Sequence, residues 1–509
     1  MANSKVNLTT IPARKRGNIL FPVLILWGAV LVVGFLFFWL NEGFGGSLKG
    51  YYLLPWCLFT GAIVLSPSAY YFYKGKFDPF HPLIFAAWSY IFPAFVIGGV
   101  IVSFQLVDPY FLAFIDDPEY QYPLSLIYVG LGFLGLIIGY SLPIGAYFAE
   151  SISPRLPKWH WKAEQVWLPG LLLLAIGIAF NALGFIQGLL GFQRNVEFST
   201  FDGTLFFLLV ILTEGTVLLW LGIFSSKKRD GIFWIMVVVL LLFLPLRMAV
   251  IGSRSSLVIG LLPIALAYVY SGRTLKLKTG IICAAIGLVA VFIGVTYGTS
   301  FRNIKGSEAR VSAGDYFGQV GATLEYLTNT GPFVIAGESA QALADRIDNL
   351  SSLAVVVARY ERLEPYEASY GLENNILNDA YTSFIPRFIW NEKPPTSDAR
   401  AYSDLYFNYS ENSFAISPFG DLLRNFGPVG ILIGMIFLGV YLRLIYSTLI
   451  DTPDPALWKK VAYFLLLTVV SYEGFFATIF PSIIRTVIVI GASLWLANIF
   501  VGRQERLQN

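Results

Sequence analysis

The feature that most constrains this chain is a series of apolar stretches, each close to the ~20 residues that a helix needs to cross a membrane. We place them near 19–40, 51–73, 82–105, 123–146, 166–190, 203–225, 231–249, 254–271, 279–299, 427–446, 457–479 and 482–501. Only 13% of the 509 residues are charged, against about 25% in an ordinary soluble domain. The sequence therefore predicts an all-α, polytopic membrane helix bundle of about 12 transmembrane helices. It excludes a soluble enzyme, a disordered chain and a disulfide-stapled secreted domain.

Lysine and arginine collect in alternate short loops. The N-terminal segment and the loops at 74–76 and 227–229 are basic, whereas the loop 106–122 has no basic residue. Because cytoplasmic loops carry the excess of Lys and Arg, we expect both termini in the cytoplasm. Residues 300–426 then form one large loop on the outer face. We divide the chain into spans one to nine (1–299), this large loop (300–426) and spans ten to twelve (427–509).

The large loop has a helical pattern of its own at 338–363, where apolar residues recur at three- and four-residue steps. Pro365 is expected to end this helix. Two interpretations are open: an amphipathic helix packed on the bundle, or a lid over a lipid-linked substrate.

Arginines gather around the large loop and the neighbouring helix ends, against the general charge trend. The basic residues are Arg247, Arg254, Arg302, Arg310, Arg387, Lys393, Arg400, Arg424 and Arg485. A guanidinium forks onto phosphate oxygens through paired hydrogen bonds, so the cluster indicates a lipid phosphate or pyrophosphate. The alternative is that these arginines pair with acids of the loop, such as Glu308, Asp345 and Asp421.

The remaining polar residues give weaker indications. Glu214 and Glu473 fall inside predicted spans, where a carboxyl group is a candidate for a proton or ion site or makes a satisfied polar contact. The histidines and cysteines are His81, His160, Cys57 and Cys283, and their separation indicates no metal site and no disulfide. The net charge of +3 gives no indication of a nucleic-acid partner. The pattern Gly130-Leu-Gly-Phe-Leu-Gly135 lies in an apolar span, so we interpret it as helix-packing glycine.

Three segments resemble sequences of one family. They are Arg247-Met-Ala-Val-Ile-Gly-Ser-Arg-Ser-Ser-Leu257, Phe384-Ile-Pro-Arg-Phe-Ile-Trp-Asn-Glu-Lys-Pro394 and Ser417-Pro-Phe-Gly-Asp-Leu-Leu-Arg-Asn-Phe-Gly427. In order and spacing they are similar to the G-x-R-[ST], PR-x-x-W-x-x-KP and G-[ED]-x-x-x-N-x-G segments of bacterial oligosaccharide repeat-unit polymerases, the O-antigen polymerase (Wzy-type) group. The resemblance covers residues 230–445, and the part before it matches only in being apolar.

The resemblance implies a bundle like that of the GT-C glycosyltransferases in the bacterial inner membrane, with its active face in the periplasm. It implies a glycosyltransferase that joins undecaprenyl-pyrophosphate-linked oligosaccharides, moving the growing glycan to the next lipid-linked unit during lipopolysaccharide or other polysaccharide biosynthesis. No cofactor and no metal are expected. Besides its lipid-linked substrates, the membrane lipid and a regulator of chain length are the partners to consider.

Site residues follow from the matched segments and the Arg cluster. As catalytic residues we predict Asp421, Arg254 and Arg387, with Asp421 as first candidate for the general base and Glu411, Asp379 and Glu392 as weaker ones. The predicted pyrophosphate-binding residues are Arg247, Arg254, Arg302, Arg310, Arg387, Lys393 and Arg424. Tyr381, Trp390 and Tyr406 are predicted to contact sugars.

Alternatives stay open beside the polymerase. Position 421 is Asp where the family motif is associated with Glu, which leaves a helix-capping role for it. O-antigen ligases usually carry a His in the large loop, and this loop has none, which favours a polymerase over a ligase. Another polyprenyl-phosphate-dependent glycosyltransferase would use an acidic pair such as Asp116 and Asp117. A lipid-linked oligosaccharide flippase or transporter is the non-enzymatic alternative, for which Glu214 and Glu473 are the relevant residues.

Overall fold

The structure is a computed structural model that describes the following residues: 27–28, 32, 51–187, 189–190, 201–226, 229, 231–251, 256–272, 277–305, 313–382, 385, 389–390, 392–393, 397–410, 413–452 and 454–508. This part of the chain is helical and contains no strand. The all-α prediction is therefore confirmed.

The first helices are α1 (Leu54–Tyr73), α2 (Pro82–Ser103), α3 (Pro118–Ser141), α4 (Pro143–Ile152), α5 (Trp167–Ile186), α6 (Gly203–Ser225), α7 (Gly231–Ile251), α8 (Ser256–Tyr270) and α9 (Leu277–Lys305). The later helices are α10 (Ala313–Asn329), α11 (Pro332–Ile347), α12 (Leu350–Glu367), α13 (Asn375–Thr382), α14 (Ala399–Phe407), α15 (Ser417–Leu449), α16 (Leu457–Thr468) and α17 (Ile479–Gln508).

Seven helices of the described part are long and apolar enough to cross a membrane, which indicates a membrane-embedded protein. They lie at Pro82–Ser103, Pro118–Ser141, Trp167–Ile186, Gly203–Ser225, Gly280–Phe301, Ser417–Leu449 and Phe476–Gly502. Each coincides with a predicted span. Of the other five predicted spans, 19–40 falls almost wholly outside the described residues, 51–73 corresponds to α1, and α7 and α8 contain shorter apolar helices. The fifth, 457–479, is broken.

The break comes after α16, which ends at Thr468. The chain then runs without helical structure to Phe475, and a short 3-10 turn, Phe476–Thr478, leads into α17. Within the break the Ser471 hydroxyl accepts hydrogen bonds from the backbone N–H groups of Glu473 and Gly474. A serine side chain that bonds the backbone in this way offers an alternative to the helix. The prediction of one helix over 457–479 is therefore wrong, and Glu473 lies in a bend rather than inside a span.

The large loop contributes directly to the core. The first two turns of α12, from Leu350 to Val357, are buried on all sides, and the helix packs against α3 and α15. The predicted single helix at 338–363 is wrong, because the chain breaks at Asp348 and Asn349, and the Asp348 side chain accepts from the N–H of Ser351 in the first turn of the next helix. Pro365 does not end α12 either. The helix continues to Glu367, whose carboxylate bonds Tyr406 and Arg424 and so holds the last turn.

Glycine sets the distance between α3 and α15. A Cβ atom added at Gly139 would lie only 2.0 Å from the carbonyl oxygen of Ile436, and one at Gly439 would lie 2.3 Å from that of Leu136. Small residues at such contacts let two helix backbones approach closely. At Gly135 an added Cβ would likewise meet the Leu432 oxygen at 2.7 Å, in agreement with the helix-packing interpretation of the segment Gly130–Gly135.

The helix α15 is two helices joined at Gly427. There the backbone has φ 67° and ψ −170°, which is a conformation that only glycine adopts readily. Pro428 follows directly and begins the second part. The chain turns so sharply that Leu422, before the bend, lies against Gly434 after it. The bend falls at the predicted boundary between the large loop and span ten.

We expect Gly427→Ala to lower the free energy of unfolding by about 1–3 kcal/mol, because a Cβ atom strains this backbone conformation. Thermal unfolding of the detergent-purified protein measures the effect. Gly491→Ala is the matched control, since Gly491 lies within α17 with open space around it. Equal melting temperatures for the two variants would contradict the strain argument.

Candidate functional site

Some of the predicted site residues lie in the described part of the chain, and others lie outside it. Asp421 and Arg424 lie on the first part of α15, and Lys393, Trp390 and Tyr381 belong to the large loop beside it. Arg254, Arg310, Arg387 and Glu411 lie outside the described residues, as does the side chain of Arg302 on α9. Arg247 lies on α7, which packs against α8, and its Nε atom is buried without a hydrogen-bond partner among the described residues.

Arg424 forms a buried ion-pair network with two acids. Its Nη1 atom lies 2.9 Å from Glu367 Oε2, and its Nη2 atom lies 2.8 Å from Asp421 Oδ1. The side chains of Arg424 and Asp421 are fully buried, and that of Glu367 is 5% exposed. The same guanidinium donates to the backbone carbonyl of Leu372 at 3.1 Å and lies over the ring of Phe475. These contacts join α12, α15 and the break before α17.

Asp421 is held on both carboxylate oxygens. Its Oδ1 atom accepts from Arg424 and from the side-chain amides of Asn375 and Asn425, each at 3.3 Å. Its Oδ2 atom accepts from the backbone N–H of Ala477 at 3.0 Å. Both oxygens of this fully buried carboxylate therefore already accept from donors of the chain. We refer to Glu367, Asn375, Asp421, Arg424 and Asn425 as the Arg424 network.

A second acid, Asp379, lies at the edge of this network on α13. Its Oδ2 atom accepts from the Ser397 hydroxyl at 2.6 Å, and the same hydroxyl oxygen accepts from Asn375 Nδ2 at 2.9 Å. Burial raises the pKa of Asp379, while the hydrogen bond from Ser397 and the charges of Lys393 and Arg485 oppose that shift. We refer to Asp379, Lys393, Ser397 and Arg485 as the Asp379 cluster.

The Arg424 network and the Asp379 cluster differ in how deeply their cations are buried. Arg424 already binds two acids and a carbonyl of the chain, which matches the alternative that this arginine pairs with loop acids. Lys393 and Arg485 are half-buried, whereas the side chain of Arg424 is fully buried. The Asp379 cluster therefore combines an acid, a hydroxyl and two cations that are partly accessible.

The predicted sugar-binding residues also differ in how far they are buried. Tyr381 is 64% exposed on α13, and Trp390 is half-buried. Tyr406 is fully buried, its ring stacks on Tyr402 with centroids 4.8 Å apart, and its hydroxyl donates to Glu367 at 2.9 Å. This placement contradicts the prediction for Tyr406, because a ring enclosed by the core offers no face to a sugar.

The two acids predicted inside spans have different surroundings. Glu473, in the bend before α17, forms an ion pair with Arg346 and is partly exposed. Glu214 is fully buried on α6, where its Oε2 atom accepts from the Ser493 hydroxyl of α17. Its Oε1 atom has no partner among the described residues. Only Glu214 therefore fits the prediction of an acid inside a span.

Glu367 and Asn375 were not predicted as site residues, and Arg485 was named only as a member of the arginine cluster. Glu367 and Asn375 lie 57 and 50 residues before their partners Arg424 and Asn425, so no local pattern points to them. Arg485 did carry a signal, which is an arginine within an otherwise apolar span.

Comparison of the chain with protein-family models, with curated proteins and with solved structures gives no match. Among the described residues, no three His, Cys, Asp or Glu side chains are grouped so that they could hold a metal ion.

Proposed function

We propose that this protein is a polysaccharide polymerase of the bacterial inner membrane. It joins undecaprenyl-pyrophosphate-linked oligosaccharide repeat units at the periplasmic face, as its resemblance to the O-antigen polymerase group implies. The observation that carries the proposal is that the Asp379 cluster and the Arg424 network lie side by side, joined by Asn375, which donates to both Ser397 and Asp421. An acid of raised pKa, two cations and a buried scaffold come together where the large loop joins α15 and α17.

In the proposed reaction, a sugar hydroxyl of the acceptor unit attacks the anomeric carbon of the donor glycan. The new C–O glycosidic bond forms while the bond from that carbon to the lipid pyrophosphate oxygen breaks. The hydroxyl proton goes to a carboxylate, and the leaving pyrophosphate keeps the electron pair and is stabilised by nearby cations. The acceptor and the donor supply all atoms of the product and of the released lipid pyrophosphate.

The geometry favours Asp379 over Asp421 as the proton acceptor. A general base works best when its pKa lies near the working pH, and burial raises the pKa of Asp379. Asp421 is bound to Arg424 on one oxygen and to the Ala477 N–H on the other. We therefore revise the predicted roles: Asp421 and Arg424 hold the scaffold, and Asp379 takes the proton.

A gene deletion in the native host tests the function. We expect the surface glycan ladder to disappear on a gel while single repeat units remain attached. Loss of all attachment, with long lipid-linked chains accumulating, would indicate the ligase instead. Lipid-linked single units trapped on the cytoplasmic face would indicate the flippase, and an unchanged glycan profile would overturn all three.

A further inference from the structure

Ser397 has a backbone conformation that is unusual for a serine. Its φ angle is 55°, in the left-handed region where glycine is the residue normally found. Ser397 comes directly before Asp398, whose carboxylate accepts from the backbone N–H groups of Arg400 and Ala401 and so caps α14. The strained residue is therefore held at the start of a helix that packs against α12. Strain of this kind persists only where the surrounding structure fixes it, and it is concentrated at functional positions.

The hydroxyl group of Ser397 makes two hydrogen bonds whose directions are fixed. Its oxygen accepts from Asn375 Nδ2 at 2.9 Å, because an amide nitrogen can only donate. Its single hydrogen therefore goes to Asp379 Oδ2, at 2.6 Å. The Asn375 amide is oriented in turn by its oxygen, which accepts from Asn425 Nδ2 at 2.9 Å. The hydrogen bonds thus run in one direction, from α15 through Asn375 and Ser397 to the carboxylate of Asp379.

This direction favours the ionised form of Asp379. Burial raises the pKa of its carboxyl group, and the charge of Asp421 adds to the rise. The hydrogen bond from Ser397 opposes the rise, as do the charges of Lys393 and Arg485. A hydroxyl group that donates to a carboxylate stabilises the charged form. Ser397 therefore acts on the charge of Asp379 as well as on its position.

We propose that Ser397 is a positioning residue, which holds the carboxylate of Asp379 in place and in its ionised form for proton transfer from the acceptor sugar. The inference rests on the proposed function in assigning that proton to Asp379. Glycine would suit the backbone at position 397 better, but it has no hydroxyl group. The chain thus keeps a hydrogen-bond donor at a point that conformational preference alone would give to glycine.

Two substitutions separate the hydroxyl group from the backbone strain. Ser397→Ala removes the donor and keeps the strain, whereas Ser397→Gly removes both. With purified protein and lipid-linked repeat units, we expect both variants to form polymer about tenfold more slowly at neutral pH. Their rates should fall on acidification at a pH about one unit higher than in the unmodified protein, because loss of a hydrogen bond to a charged group raises the pKa of Asp379 further.

Asn408→Gly is the matched control for the backbone. Asn408 also has a positive φ angle, 51°, but it ends α14 and its side chain is exposed. Its rate and its pH profile should equal those of the unmodified protein. If Ser397→Ala and Ser397→Gly kept the native pH profile, the positioning role would be wrong even if their rates were lower.

Thermal unfolding tests the same contact without turnover. At neutral pH, Ser397→Ala leaves an ionised Asp379 without this donor, so the melting temperature should fall below that of the unmodified protein. On acidification Asp379 takes up a proton, and the difference should shrink. In an Asp379→Asn background, Ser397→Ala should have the same effect at both pH values. A difference that did not depend on pH in the protein with Asp379 would show that Ser397 only supports the fold.

The two measurements separate this inference from the proposed function. A melting-temperature difference that shrinks in acid, in a protein that forms no polymer from lipid-linked units, would retain the control of Asp379 by Ser397 and reject the polymerase. Polymer formation with a native pH profile in both Ser397 variants would retain the polymerase and reject the role of Ser397.

Discussion

Arg424→Gln should lower the free energy of unfolding by about 3–5 kcal/mol, which is the usual cost of removing one partner from a buried ion pair. The substitution leaves Glu367 and Asp421 buried without a counter-charge, and both lie within 3 Å of the guanidinium in the native protein. Thermal or denaturant-induced unfolding in detergent measures the loss. Arg362→Gln removes an exposed ion pair of the same kind and should cost no more than about 1 kcal/mol.

A triple variant sharpens this test. Changing Arg424 to Met, Glu367 to Gln and Asp421 to Asn together removes all three charges, so no uncompensated charge remains. It should be more stable than Arg424→Gln alone, because the cost comes from the orphaned carboxylates rather than from lost attraction. If Arg424→Gln folded with unchanged stability and lost only polymer formation, the predicted role of Arg424 in binding pyrophosphate would stand instead.

Asp379→Asn should reduce the rate of polymer formation by about 10²–10⁴-fold, which is the range for loss of a general base. Its stability should change little, because the asparagine oxygen still accepts from Ser397. The rate is measured with purified protein and lipid-linked repeat units. Asp345→Asn removes an exposed acid of α11 and is the control. Full activity in Asp379→Asn would exclude this residue as the base.

The pH dependence follows from the same residue. A base acts only when it is deprotonated, and burial raises the pKa of Asp379 despite the opposing charges of Lys393 and Arg485; Asp421 adds to the rise. The rate should therefore fall on acidification at a higher pH than for an ordinary aspartate. In Asp379→Asn the residual rate should not show this fall.

Local sequence pattern predicted the parts of this structure that depend on near neighbours. The apolar stretches predicted the seven candidate spans, and the alternative that the loop arginines pair with acids such as Asp421 agrees with the 2.8 Å ion pair of Asp421 and Arg424. The partner Glu367 was out of reach, since its place beside Arg424 depends on how α12 packs. The break at 469–475 was missed although Ser471, Glu473 and Gly474 interrupt the apolar stretch there.

The burial of α12 between α3 and α15 has a consequence for biosynthesis. When the ribosome has released α3, neither α12 nor α15, which both pack against it, has yet been made. The nascent protein must therefore hold α3 in the bilayer with glycines and small side chains facing lipid or another helix until α15 emerges. Truncated chains that end before α12 would leave this face of α3 without its partner helices, and we expect membrane proteases to remove them.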